Sequence, residues 1–195
     1  MHPYENIPLN IVGYVLAAWL ICLHLWMLIK TEESKLFFQK LPRNRVLGPW
    51  LMGIAMAWFW LLVAPDGMGI ISKLQMDLGD FNRAKGALRF IVPIVAAGMI
   101  MHVKEFLTVR ALGVLALMAA APLLYPAFLK EPTSRLLVPI FTYAMLIQGL
   151  FWVGMPYVMR DAINWVTKTN GRYKVATIAG LLYGIAVLVS AILWW

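Results

Sequence analysis

The sequence predicts an all-α integral membrane protein: about six transmembrane helices in a bundle, with an interfacial amphipathic helix beside them. Three observations predict it. Hydrophobic residues make up 62% of the 195 residues, while charged residues make up only 13%. That leaves too little polar surface to coat a water-soluble globule, whose charged share is about 25%. The apolar residues fall into blocks near the ~20 residues needed to cross a ~30 Å hydrocarbon core. The basic residues fall between those blocks, where they set orientation and meet anionic headgroups.

The chain reads as a single multi-pass domain over 1–195, with spans at 8–29, 46–65, 88–103, 106–129, 136–159 and 175–195. The third is short, carries Pro93 and is separated from the fourth only by Lys104 and Glu105. A tight helical hairpin is the simplest reading, and one long broken helix is the alternative. The flank before the first span has no Lys or Arg, whereas Lys30, Lys35, Lys40, Arg43 and Arg45 follow it. A cleaved signal has its basic residues first, so the order favours a retained anchor with its N-terminus outside. The loops then assigned to the inner side, with Arg110, hold 11 of the 17 basic residues. A bacterial cytoplasmic membrane is the expected location.

The connection 66–87 places Ile70, Ile71, Leu74, Leu78 and Phe81 at helical spacing, with Lys73, Asp77 and Asp80 on other faces. This predicts an interfacial helix over 69–82. The segment 31–45 mixes Leu36, Phe37 and Phe38 with lysines and is also suited to the headgroup layer. Asn170-Gly171 reads as a turn. Trp50, Trp165, Tyr173, Trp194 and Trp195 stand at predicted span ends, where amphipathic rings anchor.

Small residues mark where backbones can approach. Gly180 and Gly184 form a GxxxG, and Gly53 with Ala57 a related pair. Intramolecular packing is the first expectation for both, ahead of a dimer or partner face.

The chemistry is sparse. No Asp or Glu lies near the middle of a span, which disfavours ion-coupled transport and hard-metal binding. His24 and His102 lie near the inner ends of the first and third spans, about 6 Å apart in depth at the helical rise. Facing each other, they would hold a b-type haem or flank a quinone. Separately, each would simply satisfy a local hydrogen bond, and that is the simpler expectation; His2 lies outside the bundle. Gln148, at the centre of the fifth span, is a candidate for interhelical bonding or substrate contact. Arg110 enters the fourth span deep enough to snorkel to a lipid phosphate, with Asp161 or Glu105 as other partners. The single cysteine, Cys22, excludes an intrachain disulfide. There is no H-E-x-x-H, no G-x-S-x-G and no glycine-rich phosphate loop, so the reading leans away from an enzyme. The twelve methionines are too scattered for copper.

The sequence therefore predicts an accessory subunit or assembly factor of a larger membrane complex. A small-solute or lipid transporter using Gln148 and Arg110 is one alternative, and a haem- or quinone-associated electron-transfer protein using His24 and His102 is another. The expected partners are anionic lipid headgroups and other membrane subunits or a second copy, not nucleic acid. No cofactor is the first expectation, with haem b as the alternative.

Overall fold

The structure is a computed structural model that describes residues 3–65, 67–69, 71–103 and 105–195. They form eight α-helices and several short 3₁₀ turns, with no strand among them. The α-helices are α1 (Leu9–Ile29), α2 (Thr31–Lys40), α3 (Leu47–Leu62), α4 (Lys85–His102), α5 (Leu107–Ala127), α6 (Leu137–Gly154), α7 (Tyr157–Thr167) and α8 (Asn170–Leu193). Helices α1, α4, α5, α6 and α8 are each long and apolar enough to cross a membrane. A sixth candidate comes from α2 and α3, which meet at a 70° bend.

That bend has local causes. Lys30 leaves helical geometry at φ −114° and ψ 58°, ending α1. Glu32 and Glu33 then stand in the first turn of α2, where negative charge complements the helix dipole. Pro42 ends the stretch in a 3₁₀ turn. The side-chain oxygen of Asn44 accepts from the Val46 and Leu47 N–H groups, each at 3.0 Å, and starts α3. The Asn44 carbonyl accepts a 2.6 Å bond from the Thr108 hydroxyl, tying this corner to α5.

The main packing partners form two groups. Helix α3 packs on both α4 and α5, and α5 packs on α6; α1 pairs with α8 and also touches α5. The third and fourth predicted spans are therefore separate helices that share α3 as a packing partner, rather than one broken helix. Phe106, at φ 56°, reverses the chain between them. Lys104 lies outside the described residues, as do His2 and Ile70.

The α1–α8 pair is antiparallel and in register. A Cβ on Gly13 would sit 2.8 Å from the Ala191 Cβ, and one on Gly184 would sit 2.9 Å from the Leu20 Cβ. His24 meets Gly180 one turn further on. Steps of seven and four residues along α1 are matched by equal steps back along α8. The contacts therefore recur on one face of each helix. Ala17 and Val187, both fully buried, occupy the level between. The GxxxG predicted as a packing face thus receives α1. Gly53 and Ala57, in contrast, are exposed on α3, and a Cβ on Gly53 would meet nothing within 4 Å. Within this chain α3 packs through Gly48, Met52 and Ala55 instead.

Helices α5 and α6 approach through a reciprocal glycine contact. A Cβ on Gly113 would lie 2.8 Å from the Gly149 carbonyl oxygen, and one on Gly149 would lie 3.1 Å from that of Gly113. Close backbone approach of this kind gains van der Waals contact that lipid cannot replace.

Three predicted elements differ. The helix expected over 69–82 is two 3₁₀ pieces, Ile71–Leu74 and Gly79–Ala84. Gly79 sits at φ 58°, and the Asp77 and Asn82 side chains take up the Gly79 and Leu78 N–H groups, so local polar bonds replace the helical ladder. The span expected to reach residue 159 stops at Gly154, because Met155 is non-helical ahead of Pro156, and Met159 belongs to α7. Asn170 and Gly171 do not form a turn. They open α8, whose first turn is capped by the Thr169 hydroxyl accepting from the Arg172 N–H at 3.3 Å.

Candidate functional site

At the end of the bundle where α1 finishes and α8 begins, the short helix α7 packs on α2, α6 and α8. Its residues Val158, Met159, Ala162, Ile163 and Val166 share one helical face, while Asp161 and Asn164 are exposed. That apolar face does not close onto α6. Between them lies a cavity of about 370 Å³, completed by Met27 of α1, Phe38 of α2, Gln148, Phe151 and Trp152 of α6, and Tyr173 of α8. This volume is at the small end for a ligand site.

Gln148 is placed there by its neighbour. The Gly149–Gly113 contact sets the rotation of α6, and the next side chain along the helix turns into the cavity. No described residue donates to or accepts from the Gln148 amide. The Gln148 side chain is exposed on this side of α6, so its two amide donors and its acceptor are open to a molecule entering the cavity. By the helical rise, Gln148 lies about 9 Å along α6 from its Gly154 end.

The two hydroxyls on the wall are already engaged. The Thr167 hydroxyl donates to the Ile163 carbonyl at 2.8 Å and accepts from the Gln39 amide at 2.9 Å. The Tyr173 hydroxyl shares a 2.6 Å bond with the Ser34 hydroxyl. Ser34 and Tyr173 are fully buried, and Ser34 also donates to the Thr31 carbonyl at 2.9 Å. Lys35 is only 7% exposed. Its ammonium pairs with Glu32 at 2.9 Å, donates to the Asn170 side-chain oxygen and lies 5.5 Å from the centre of the Tyr173 ring. This satisfied cluster fixes α2 to the start of α8, whose Tyr173 lines the cavity.

The sequence-predicted residues fall in different places. His24 donates from Nδ1 to the Leu20 carbonyl at 2.7 Å, since a carbonyl can only accept. Its Nε2 then faces Gly180 so closely that a single Cβ there would collide with it. An axial ligand needs open space beyond that nitrogen for the porphyrin plane, and the α8 backbone occupies it. His102 is exposed on α4 and donates to the Gly98 carbonyl at 3.0 Å. Because α1 packs mainly on α8 and α4 mainly on α3, the two imidazoles are not presented as a facing pair. The described residues also hold no group of three or more His, Cys, Asp or Glu suited to a metal.

Arg110 is half-buried, and its side chain has no hydrogen-bond or ion-pair partner among the described residues. It is not part of the Gln148 cavity. Asp161, proposed as its partner, pairs instead with Arg160 at 2.7 Å. The Arg160 and Arg43 guanidinium groups lie 5.7 and 5.9 Å from the centre of the Phe106 ring, joining α7 and the α2–α3 corner to the start of α5.

Sequence reasoning marked Gln148 but missed the helix that roofs it. The signal was present in the five apolar residues of 158–166 at helical spacing. No family model, no curated protein and no solved structure matches this chain.

Proposed function

We propose that this protein is a non-catalytic membrane accessory protein that holds one lipid-derived amphiphile between α6 and α7. The observation that carries the reading is the exposed Gln148 amide, without a described partner, on the wall of a largely apolar cavity. Such a site selects a molecule with an apolar body and a carbonyl or hydroxyl group placed to meet the amide, such as a quinone or an acylglycerol. At about 370 Å³ the cavity takes the head and the first part of a chain, and the remainder extends into the bilayer.

The test is extraction. Protein purified in mild detergent is stripped with organic solvent, and the extract is analysed by mass spectrometry against detergent micelles carried through the same steps. The proposal expects one amphiphile enriched with wild-type protein and depleted severalfold with Gln148→Leu. Equal recovery from the two proteins would refute it.

A second reading, a lateral partner in a larger complex, has its own support. Phe90 is 72% exposed and Ile94 69%, on a helix whose main helical neighbour is α3. Beside it, Gly53 and Ala57 present a small-residue stripe with open space above it. Co-purification of another membrane chain that is lost with Gly53→Leu supports this reading, and a lone polypeptide at every stage of gentle purification counts against it.

A further inference from the structure

A second cavity, of about 470 Å³, lies at the opposite end of the bundle between the 71–84 segment and the start of α4. Its character is the reverse of the first. Gln75, Asp77, Asn82, Lys85 and Arg89 supply a polar wall.

Lys85 is the unusual member. It is 7% exposed, yet no described carboxylate lies within 4.0 Å of its ammonium and no described group accepts a hydrogen bond from it. Arg89 stands one turn further along the same face of α4. Its Nε donates to the Val63 carbonyl at 2.5 Å, which fixes the guanidinium at the cavity wall and leaves its terminal nitrogens without a described partner. The half-buried Gln75 side chain is likewise without one. Asp77 is the only acidic residue among the described residues of this wall. It is occupied elsewhere, accepting from the Gly79 N–H at 2.9 Å and the Asn82 amide at 2.5 Å. Those bonds, with a smaller contribution from the Lys85 charge, hold its carboxyl below the usual carboxylate range, so it stays ionised, and the described residues of the wall carry two cations against one anion. The described residues hold no buried side-chain nitrogen without a partner, so the stem of Lys85 is packed while its ammonium opens into the cavity beside a second cation, where an anion would offset their repulsion.

We propose that this cavity binds a phosphate group, clamped by Lys85 and Arg89, with the Gln75 amide as a further donor. Planar guanidinium and ammonium together match tetrahedral phosphate oxygens. A phospholipid headgroup and free phosphate share that chemistry, and the site stands apart from the Gln148 cavity.

The experiment is a thermal-unfolding titration of the full chain in uncharged detergent at constant ionic strength. One arm adds inorganic phosphate, and the other adds monomeric short-chain phosphatidylglycerol. Saturable stabilisation is expected in at least one arm. Stabilisation by the lipid alone identifies a headgroup site, by phosphate alone a soluble-anion site, and by both the phosphate group itself as the determinant. Lys85→Met is expected to weaken the effective arm about tenfold, the loss of one charge-assisted contact, while exposed Lys73→Gln leaves it unchanged. If Lys85→Met does not fold, Lys85→Gln is read in the same way. No saturable response in either arm overturns the proposal, as does an unchanged response in the Lys85 variant.

Discussion

The imidazole of His24 occupies the notch that Gly180 leaves in α8, with its Nδ1 proton on the Leu20 carbonyl 2.7 Å away. Glycine is required there by proximity rather than by backbone angle. A methyl at position 180 would meet the ring at once, and the ring is pinned by its hydrogen bond. Gly180→Ala is therefore expected to destabilise the protein by about 1–3 kcal/mol, the usual cost of overpacking. Thermal unfolding in detergent checks this. Combining it with His24→Ala should recover most of the loss, and a merely additive double variant would show that the two residues do not meet.

The Gly113–Gly149 contact makes a related prediction with a different readout. The atom facing each glycine is mainly backbone carbonyl, which cannot swing aside. Gly149→Ala should force α5 and α6 apart, lower stability by about 1–3 kcal/mol and turn Gln148 out of the cavity. Stability and amphiphile retention should fall together, measured by thermal unfolding and by extraction.

The cluster around Lys35 holds α2 in place. Tyr173→Phe removes one end of the 2.6 Å bond to buried Ser34 and is expected to cost about 1–2 kcal/mol. Hydrogen exchange should then rise in α2 before it rises in α1 or α8. Uniform acceleration over all three helices would mean that the bond is not what docks α2.

A pH dependence follows from Asp77. Its hydrogen bonds to Asn82 and Gly79 lower its pKa from the ordinary 3.8, so the folded loop favours the ionised form. The associated stability is present above that ordinary value and is lost as pH falls through the lowered one. The protection of the Gly79 and Leu78 amides, taken relative to the free-peptide exchange rate at each pH, should be constant between pH 5 and 8 and should fall only in more acidic solution. In Asp77→Asn the acid-induced change should disappear.

What the sequence revealed divides along physical lines. Spans are written into the chain because hydrocarbon requires a run of apolar residues, and α1 and α8 follow such runs closely. The end of α6 is different. The apolar run continues past Pro156, so hydropathy alone carries the span to residue 159, while the backbone stops at Gly154. The 69–82 pattern had the right spacing, but a spacing cannot show that Asp77 and Asn82 take up the N–H groups a helix would need. Gln148 was visible as an isolated polar side chain in a greasy segment. Its cavity was not, because the wall is drawn from five helices. The Ser34–Tyr173 bond joins residues 139 positions apart, and nothing local to either announces the other.

The occupant of the space beside Gln148 decides between a binding site and simple helix packing. Cryo-electron microscopy of the protein in lipid nanodiscs addresses it directly, with an antibody fragment supplying the mass for alignment. The expected map has elongated density running from the Gln148 amide past Phe151 and Val158 toward the bilayer, its polar end within hydrogen-bonding reach of that amide. A map in which α7 has collapsed onto α6, with Gln148 bonded to another side chain and no room left between the helices, would contradict the account.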